Sequence, residues 1–408
     1  MSSMFDIEKI RAQFPILERE VYGRKLIYLD SAATAQKPLC VVEKMSELFL
    51  NNNANIHRGV HLLSEEMTVR YEEAREVVRQ FIGAECREEV VFTSGATMSL
   101  NLVATSYCEK FLHEGDNVVV SHIEHHSNIV PWQLAVERKG AELRVIPVAD
   151  NGALELEKLD TLIDERTKVV AVTQASNTLG TRPDLVTIIA KAHAVGAVVV
   201  VDGCQGVVHG GVDVKALDCD FYAFSGHKLY GPTGIGVLYG KRELLDKMPP
   251  YMGGGDMVDK VTFAKTTYAP LPLKFEAGTS NFIGAVGLAE AIKFVQSLNA
   301  KEVEAHEKEL LDYATVELQK IEGVRIYGTT ADKSPIISFN VEGCDHYDIG
   351  MILDKQGVAV RTGHHCAEPV MARYGTNGVV RASIALYTNK EDIDAFVSAL
   401  KRAVRMLK

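Results

Sequence analysis

Ala197-Val198-Val199-Val200-Val201-Asp202 is a run of five apolar residues that ends in a carboxylate, and its reading decides the fold. It is far shorter than the ~20 apolar residues of a spanning helix and has the length of a buried strand. Gly196 suits the C-terminal cap of a preceding helix, and Pro183 suits that helix's first turn. Working outward, residues 90–92, 117–120, 143–147, 168–173 and 221–224 have strand character, and helical stretches separate them. Such alternation between Glu89 and Gly240 predicts an α/β fold, a mostly parallel sheet covered by helices on both faces. Upstream, Ser64 precedes Glu65 and Glu66, and Met67, Tyr71, Ala74, Val78 and Phe81 then repeat on one helix face until Gly83.

Downstream, Gly253-Gly254-Gly255 and the segment around Pro270 and Pro272 break the alternation. From about Asn281 come helical patterns over 287–298 and 302–321, strands around 335–341, 358–361 and 379–386, and a final helix from Lys390. The expected division is an N-terminal arm over 1–25 with a short amphipathic helix in 1–14, a large domain over 26–280, and a smaller α/β domain over 281–408.

The chain has 408 residues, 47% of them hydrophobic and 24% charged, as in an ordinary globular protein with one large core or two joined ones. A net charge of -10 and a pI near 5.8 argue against nucleic acid or an anionic membrane as partner, since either needs a concentrated basic patch. The first residues contain no apolar stretch of signal-peptide type, and no segment is expected to cross a membrane. Seven cysteines without Cys-x-x-Cys pairing suit a reducing cytoplasm.

In open α/β sheets ligands collect beyond the carboxyl ends of strands, which singles out four sites. Phe92-Thr93-Ser94-Gly95-Ala96-Thr97 leads from a strand into a helical stretch beginning near Met98. The free N–H groups there, with the Ser94 and Thr97 hydroxyls, form a phosphate seat or an ordinary capped turn. Lacking a Gly-Lys-Ser/Thr ending, it is not a nucleotide loop. Asp202 needs a partner at the end of its strand, either a pyridinium nitrogen, a helix cap or a salt bridge. Lys228, in Ser225-Gly226-His227-Lys228, is an imine-forming lysine or a surface one. His125-His126 offers a flat imidazole that can stack on a ring and move protons, with a metal pair as the rival.

Together these supply the parts of a pyridoxal-phosphate site. Asp202-Gly203-Cys204-Gln205 followed by Ser225-Gly226-His227-Lys228 resembles the fold-type I, class V aminotransferase-like superfamily. Val358-Ala359-Val360-Arg361-Thr362-Gly363-His364-His365-Cys366 resembles the cysteine desulfurases of the SufS type. The likeness runs nearly end to end, through Tyr28-Leu29-Asp30-Ser31-Ala32-Ala33, His57-Arg58-Gly59, Glu124-His125-His126, Asn177, Phe275-Glu276-Ala277-Gly278-Thr279 and Arg381-Ala382-Ser383.

The resemblance implies a homodimeric, cytoplasmic cysteine desulfurase that turns L-cysteine into L-alanine, with selenocysteine as a second substrate. Lys228 would carry pyridoxal 5′-phosphate and move the α proton, Cys366 would receive the sulfur, and His125 would stack on the ring and pass a proton. Ser94, Gly95, Ala96 and Thr97 would seat the phosphate, with Gln205, Ser225 and His227 also at the cofactor and Asp202 on its pyridine nitrogen. Thr279 would reach the cofactor phosphate of the neighbouring subunit. Arg381, Asn177 and Arg361 would bind substrate, a guanidinium matching a carboxylate's planar fork. The sulfur would pass to an acceptor protein of iron-sulfur assembly. No metal is implied.

The chain departs from the family at Ala96-Thr97-Met98, where relatives often have Thr-Thr-Glu, and at Met252, near which they carry an acid. Those departures touch one phosphate contact and a polar network at the dimer interface. For Cys366 the rivals are a buried structural thiol and a metal ligand with His364 and His365, but a nucleophilic thiol profits from nearby positive charge such as Arg361 or a protonated histidine. Cys204 is expected only to pack. The functional rivals are an aminotransferase or kynureninase-like lyase, and a metal or cluster scaffold using His125, His126, His364, His365 and Cys366.

Overall fold

The computed structural model describes residues 5–408. Seven strands form the main sheet, in the order Val90–Thr93, Gly236–Gly240, Phe221–Ser225, Val198–Asp202, Thr167–Thr173, Asn117–Ser121, Glu142–Ile146. All neighbours are parallel except Gly236–Gly240, which runs antiparallel to both of its own. In the valine run, Val199 and Val201 enter the core on one face of the sheet while Val198 and Val200 enter the core on the other. Tyr222 and Phe224 are split from Phe221 and Ala223 in the same way. A strand with two interior faces needs an apolar residue at every position, which is why these segments read as continuous runs rather than alternations. The helices Leu62–Ile82, Leu185–Ala194 and Phe282–Gln296 cover one face, and Ala96–Phe111 and Val130–Lys139 the other.

The strand Gly236–Gly240 was not expected, because only three residues separate its two glycines. A Cβ at Gly236 would lie 2.4 Å from the Cα of Gly95, so a glycine there lets this strand close against the turn that starts helix Ala96–Phe111. Helix ends also differ by small steps. Leu62–Ile82 begins before Ser64, because the His61 ring accepts the Ser64 N–H at 3.3 Å, and it ends at left-handed Gly83 as expected. Pro183, expected in the first turn, lies just before Leu185–Ala194, which Asp184 caps by accepting the Thr187 N–H. The helix expected near Met98 starts at Ala96.

A second sheet is antiparallel throughout, in the order Val324–Tyr327, Ile336–Val341, Val379–Ser383, Arg361–Gly363. Val324–Tyr327 was missed, and the strand expected over 379–386 stops at Ser383. The strand expected at 358–361 divides in two. Val358–Ala359 pairs in parallel with Ile27–Tyr28, while Arg361–Gly363 joins the four-stranded sheet. Ile27 and Leu29 thereby bury among Phe339, Leu353 and Phe396, and Asp30 bridges to Ser383. Helix Phe282–Gln296, by contrast, buries Ile283, Leu288 and Ile292 with the main core. On this packing we propose two units, the larger keeping Phe282–Gln296 and the smaller recruiting Ile27–Leu29, so that the expected break after residue 280 moves past that helix.

The expected N-terminal helix is short, Ile7–Arg11, and residues 1–4 lie outside the described residues. Buried Arg11 pairs with Asp392 at 2.6 Å and so ties the arm to the start of the final helix, Lys390–Leu407.

Candidate active site

Where the central strands end, a cleft of about 250 Å³ opens, and Thr97, His125, Asp202, Ser225 and Lys228 line one side. Lys228 ends the turn Gly226–Lys228 that follows Phe221–Ser225. The carbonyl of its neighbour His227 accepts from the Ala35 N–H at 3.1 Å, the Lys37 Nζ at 2.9 Å and the Thr34 hydroxyl at 3.3 Å, which pins the turn. Lys228 Nζ itself makes no hydrogen bond or ion pair among the described residues. Lys37 sits so deep that burial lowers its pKa to about 8, and carbonyl oxygens are its hydrogen-bond partners.

Asp202 is buried and accepts the Cys204 N–H at 3.0 Å. That bond satisfies one oxygen as a local cap would, and no ion pair consumes the other. The chain can turn there because residue 203 is glycine: a Cβ would lie 1.9 Å from the Tyr222 ring. Gln205 donates to the carbonyl of Ala32, a residue that lines the cleft. Cys204 lines the cleft, yet burial pushes its thiol up to about 12, so it stays protonated.

Helix Ala96–Phe111 points its start at the same cleft. The Ala96 N–H is taken by the Ser225 hydroxyl at 2.9 Å, which leaves the next two amides as the orphan donors that an anion can satisfy. Ala96 and Thr97 line the cleft, whereas Ser94 is exposed and turns its N–H and hydroxyl to Met98 Sδ at 3.4 Å. His125 is not on a strand, as it caps the turn His126–Asn128. Its Nδ1 accepts the Ser127 N–H at 3.1 Å, so the ring proton belongs on Nε2. Burial, helped by the charge of Lys228, lowers its pKa to about 4, and the ring is neutral at pH 7.

The cleft is also lined by Asn177, on the loop after the main-sheet strand Thr167–Thr173, and by Arg361, His365, Cys366 and Arg381 from the end of the chain. Of the seven cysteines, Cys366 alone is exposed. His365 and Cys366 both hold left-handed backbone, φ +53° and +55°, a strained choice for non-glycine residues. The loop is held by its neighbours. Cys366 accepts the His126 N–H at 2.7 Å through its carbonyl, Asn177 Nδ2 donates to the His365 carbonyl at 2.8 Å, and His364 Nδ1 accepts the Cys366 N–H at 3.2 Å.

Asp30 holds both arginines, Arg361 by a two-pronged contact at 2.8 and 3.0 Å and Arg381 at 3.3 Å. These bonds raise the pKa of Arg361, whereas burial lowers that of Arg381 to about 10, still cationic at pH 7. Burial and the Arg381 charge hold His365 at about 2, so positive charge beside Cys366 comes from Arg361 and Arg381 rather than from a protonated His365. Sequence reasoning quoted Asp30 without a role, since its partners lie in the second sheet.

Thr279 is exposed and outside the cleft, on a segment anchored by buried Glu276, which pairs with Arg75 at 2.6 Å and accepts the Phe92 N–H at 2.7 Å. His126 stacks on His364 at 5.7 Å and does not line the cleft. Among the described residues no group of three or more His, Cys, Asp and Glu is spaced to hold a metal ion. Nor is any described helix long and apolar enough to cross a membrane.

A pinned lysine with a free amine, a carboxylate at a strand end and an open helix start line the cleft. The profile of the family described as Aminotransferase class-V matches residues 27–396, and the chain belongs to that family. The cysteine desulfurase of Dickeya dadantii is 50% identical over 404 residues, 99% of this chain and 98% of that one. The cysteine desulfurase CsdA of Escherichia coli, solved in an S-sulfonic acid form, superposes with a TM-score of 0.93 at 42% identity over the full length of both chains. The apo cysteine desulfurase of Thermococcus onnurineus does so with a TM-score of 0.94 at 39% identity.

Enzymes of this family, this chain included, work with pyridoxal 5′-phosphate. The cleft fits that group: orphan amides at the helix start for the phosphate, Asp202 for the ring nitrogen, a neutral His125 for the ring face, and the unbonded Lys228 amine for the aldehyde.

Proposed function

We propose that the cleft moves the sulfur of L-cysteine onto Cys366 and releases L-alanine, the chain being a pyridoxal-phosphate-dependent cysteine desulfurase. The observation that carries this reading is the single exposed thiol, Cys366, on a tied loop across the cleft from Lys228 and Asp202. When bound, the cofactor supplies an electron sink for negative charge that develops on the substrate carbons. Lys228, free of other partners, takes the α proton and can return it. Arg381 holds the substrate carboxylate, and Asn177 braces both Arg381, through its backbone carbonyl at 2.9 Å, and the cysteine loop. Arg361, locked by Asp30, supplies positive charge to the Cys366 thiolate.

The thiolate sulfur attacks the substrate sulfur. The Cβ–S bond breaks, its electron pair stays on carbon, and a proton passed by way of His125 completes the methyl group of alanine, while Cys366 retains a persulfide. The rival aminotransferase or kynureninase-like lyase has no use for this thiol. Sulfur then leaves on an acceptor protein, with iron-sulfur assembly as its destination. Selenocysteine fits as a second substrate, since only the atom attacked differs.

The active form is a homodimer in which Thr279, exposed and outside its own cleft, serves the phosphate of a second copy; exposed Leu50, Val60, Leu62 and Phe263 supply apolar surface for such contact. Seven unpaired cysteines suit a reducing cytoplasm.

Peptide mass mapping after cysteine treatment should find one added sulfur on the Cys366 peptide, with alanine released in equal amount. Cys366→Ser should keep the cofactor and its absorbance but release no alanine above background. Sulfur found on Cys204 instead, or alanine from the serine variant at the normal rate, overturns the reading.

A further inference from the structure

His365 is the residue of the cysteine loop that the mechanism above leaves idle, and its surroundings are unusual. The residue is only 7% exposed and lines the cleft, and neither ring nitrogen has a partner in hydrogen-bonding geometry, although the Val379 backbone lies near enough to the ring to favour its protonated form. An unpaired buried polar group is costly, so a fold that keeps one has a partner for it in another state. The shortage is local to this wall, because Nε of Arg381 is buried and unpaired as well. The two cations here are not equally free: Asp30 occupies the fork of Arg361, whereas Arg381 spends one nitrogen on the Asn177 carbonyl and another on a longer 3.3 Å contact with Asp30. Spare donors therefore gather at Arg381 and His365, both of which line the cleft.

The backbone agrees. His365 holds φ +53°, and the Asn177 amide clasps its carbonyl, so the chain is bent at this residue and held there. A strained, tied backbone that carries an unbonded ring into a cleft is the arrangement of a preorganised ligand contact. Burial and the charge of Arg381 keep the imidazole neutral, which leaves it one N–H to donate and avoids repulsion between neighbours.

We propose that His365 is a second substrate-binding residue of the carboxylate seat, its ring N–H donating to the substrate carboxylate beside Arg381. The proposal rests on the reading that Arg381 holds that carboxylate, and the test separates the two. Affinities of L-cysteine and of cysteamine, which lacks the carboxylate, are compared from the absorbance shift of the cofactor-loaded enzyme in a Cys366→Ser background. His365→Gly keeps the left-handed backbone and removes the ring, whereas His365→Asn keeps the backbone and restores a donor.

The expected result is that His365→Gly weakens L-cysteine about ten-fold, as loss of one charge-assisted hydrogen bond should. Cysteamine should change less than about two-fold, and His365→Asn should fall between His365→Gly and the unsubstituted residue, since a short amide donor only partly replaces the ring. If His365→Gly weakens both ligands alike, or neither, while Arg381→Ala abolishes the preference for cysteine over cysteamine, the part given to His365 is wrong and the seat stands. If Arg381→Ala leaves that preference intact, the carboxylate reading itself fails and the proposal falls with it. Should His365→Gly not fold, His365→Asn decides alone: affinities for both ligands equal to those with histidine, or a loss shared equally by both, overturns the proposal.

Discussion

The two sides of the cleft are made in different ways. Lys228 ends a turn that continues a central strand, and main-chain ladders on both sides fix that strand before any side chain acts. Cys366 follows His365, both in strained left-handed backbone, on a loop whose shape depends on single bonds from His126 and Asn177, residues of the main sheet's loops. A lysine proposed to move a proton must keep one position, and a rigid strand end provides it. A cysteine proposed to carry sulfur would meet the substrate and then an acceptor, and a loop held by a few breakable bonds suits both.

The contrast is easiest to break at the lysine. Lys228→Ala should lower alanine formation by about 10²–10⁴-fold or more, the usual weight of a positioned acid-base group, while thermal stability barely moves because the turn is held by the His227 carbonyl and not by the amine. Retained turnover with a borohydride-reducible adduct on another lysine would show that the rigid side has been misassigned.

Across the cleft, Arg381→Ala should weaken cysteine binding by about 1.5–3 kcal/mol, the range of a charge-assisted hydrogen bond. Spectral titration checks it, and an unchanged dissociation constant would move the carboxylate to another residue.

A smaller change is expected at the bond that shapes the loop. Asn177→Ala removes the donor to the His365 carbonyl and should cost about 1 kcal/mol of local order, roughly five-fold. Amide exchange over residues 364–367 should quicken accordingly while the Lys228 turn is unchanged. Equal loosening on both sides would erase the contrast.

The mildest probe is acid. Burial, and then the charge of Lys228, holds His125 and His227 at about 4, against about 6.5 in the unfolded chain. Between those values the unfolded chain binds protons that the folded one does not, so stability falls as pH drops from about 6.5 towards 4. The thermal midpoint should be lower at pH 5 than at pH 7, and a flat profile would mean that the rings are less enclosed than the cleft geometry requires.

The lysine side of the cleft was legible in the sequence because its parts follow strands directly: Thr97, His125, Asp202 and Lys228 each stand a few residues beyond an apolar run, and one rule about strand ends collects them. Ser94 shows the limit of that rule, since being next to a strand end does not say which way a side chain turns. Its N–H and hydroxyl face Met98. The cysteine side was legible only through resemblance. Nothing in Arg361-Thr362-Gly363-His364-His365-Cys366 taken alone says that Asp30 will lock its arginine or that Asn177 will hold its loop.

By itself the sequence determined the parallel sheet, because a strand buried on both faces must be apolar at every position and Val198, Val199, Val200 and Val201 satisfy that without help from distant residues. It also determined where the groups proposed to hold the cofactor emerge, since strand ends are local features. What only the tertiary structure decided is the pairing of Ile27–Tyr28 with Val358–Ala359, which carries Asp30 to Arg361 and Arg381, and the enclosure that leaves His365 neutral and unbonded. Those contacts join residues more than 300 positions apart, and hydrogen bonds over such separations come from how the two sheets pack, a property that no local pattern encodes.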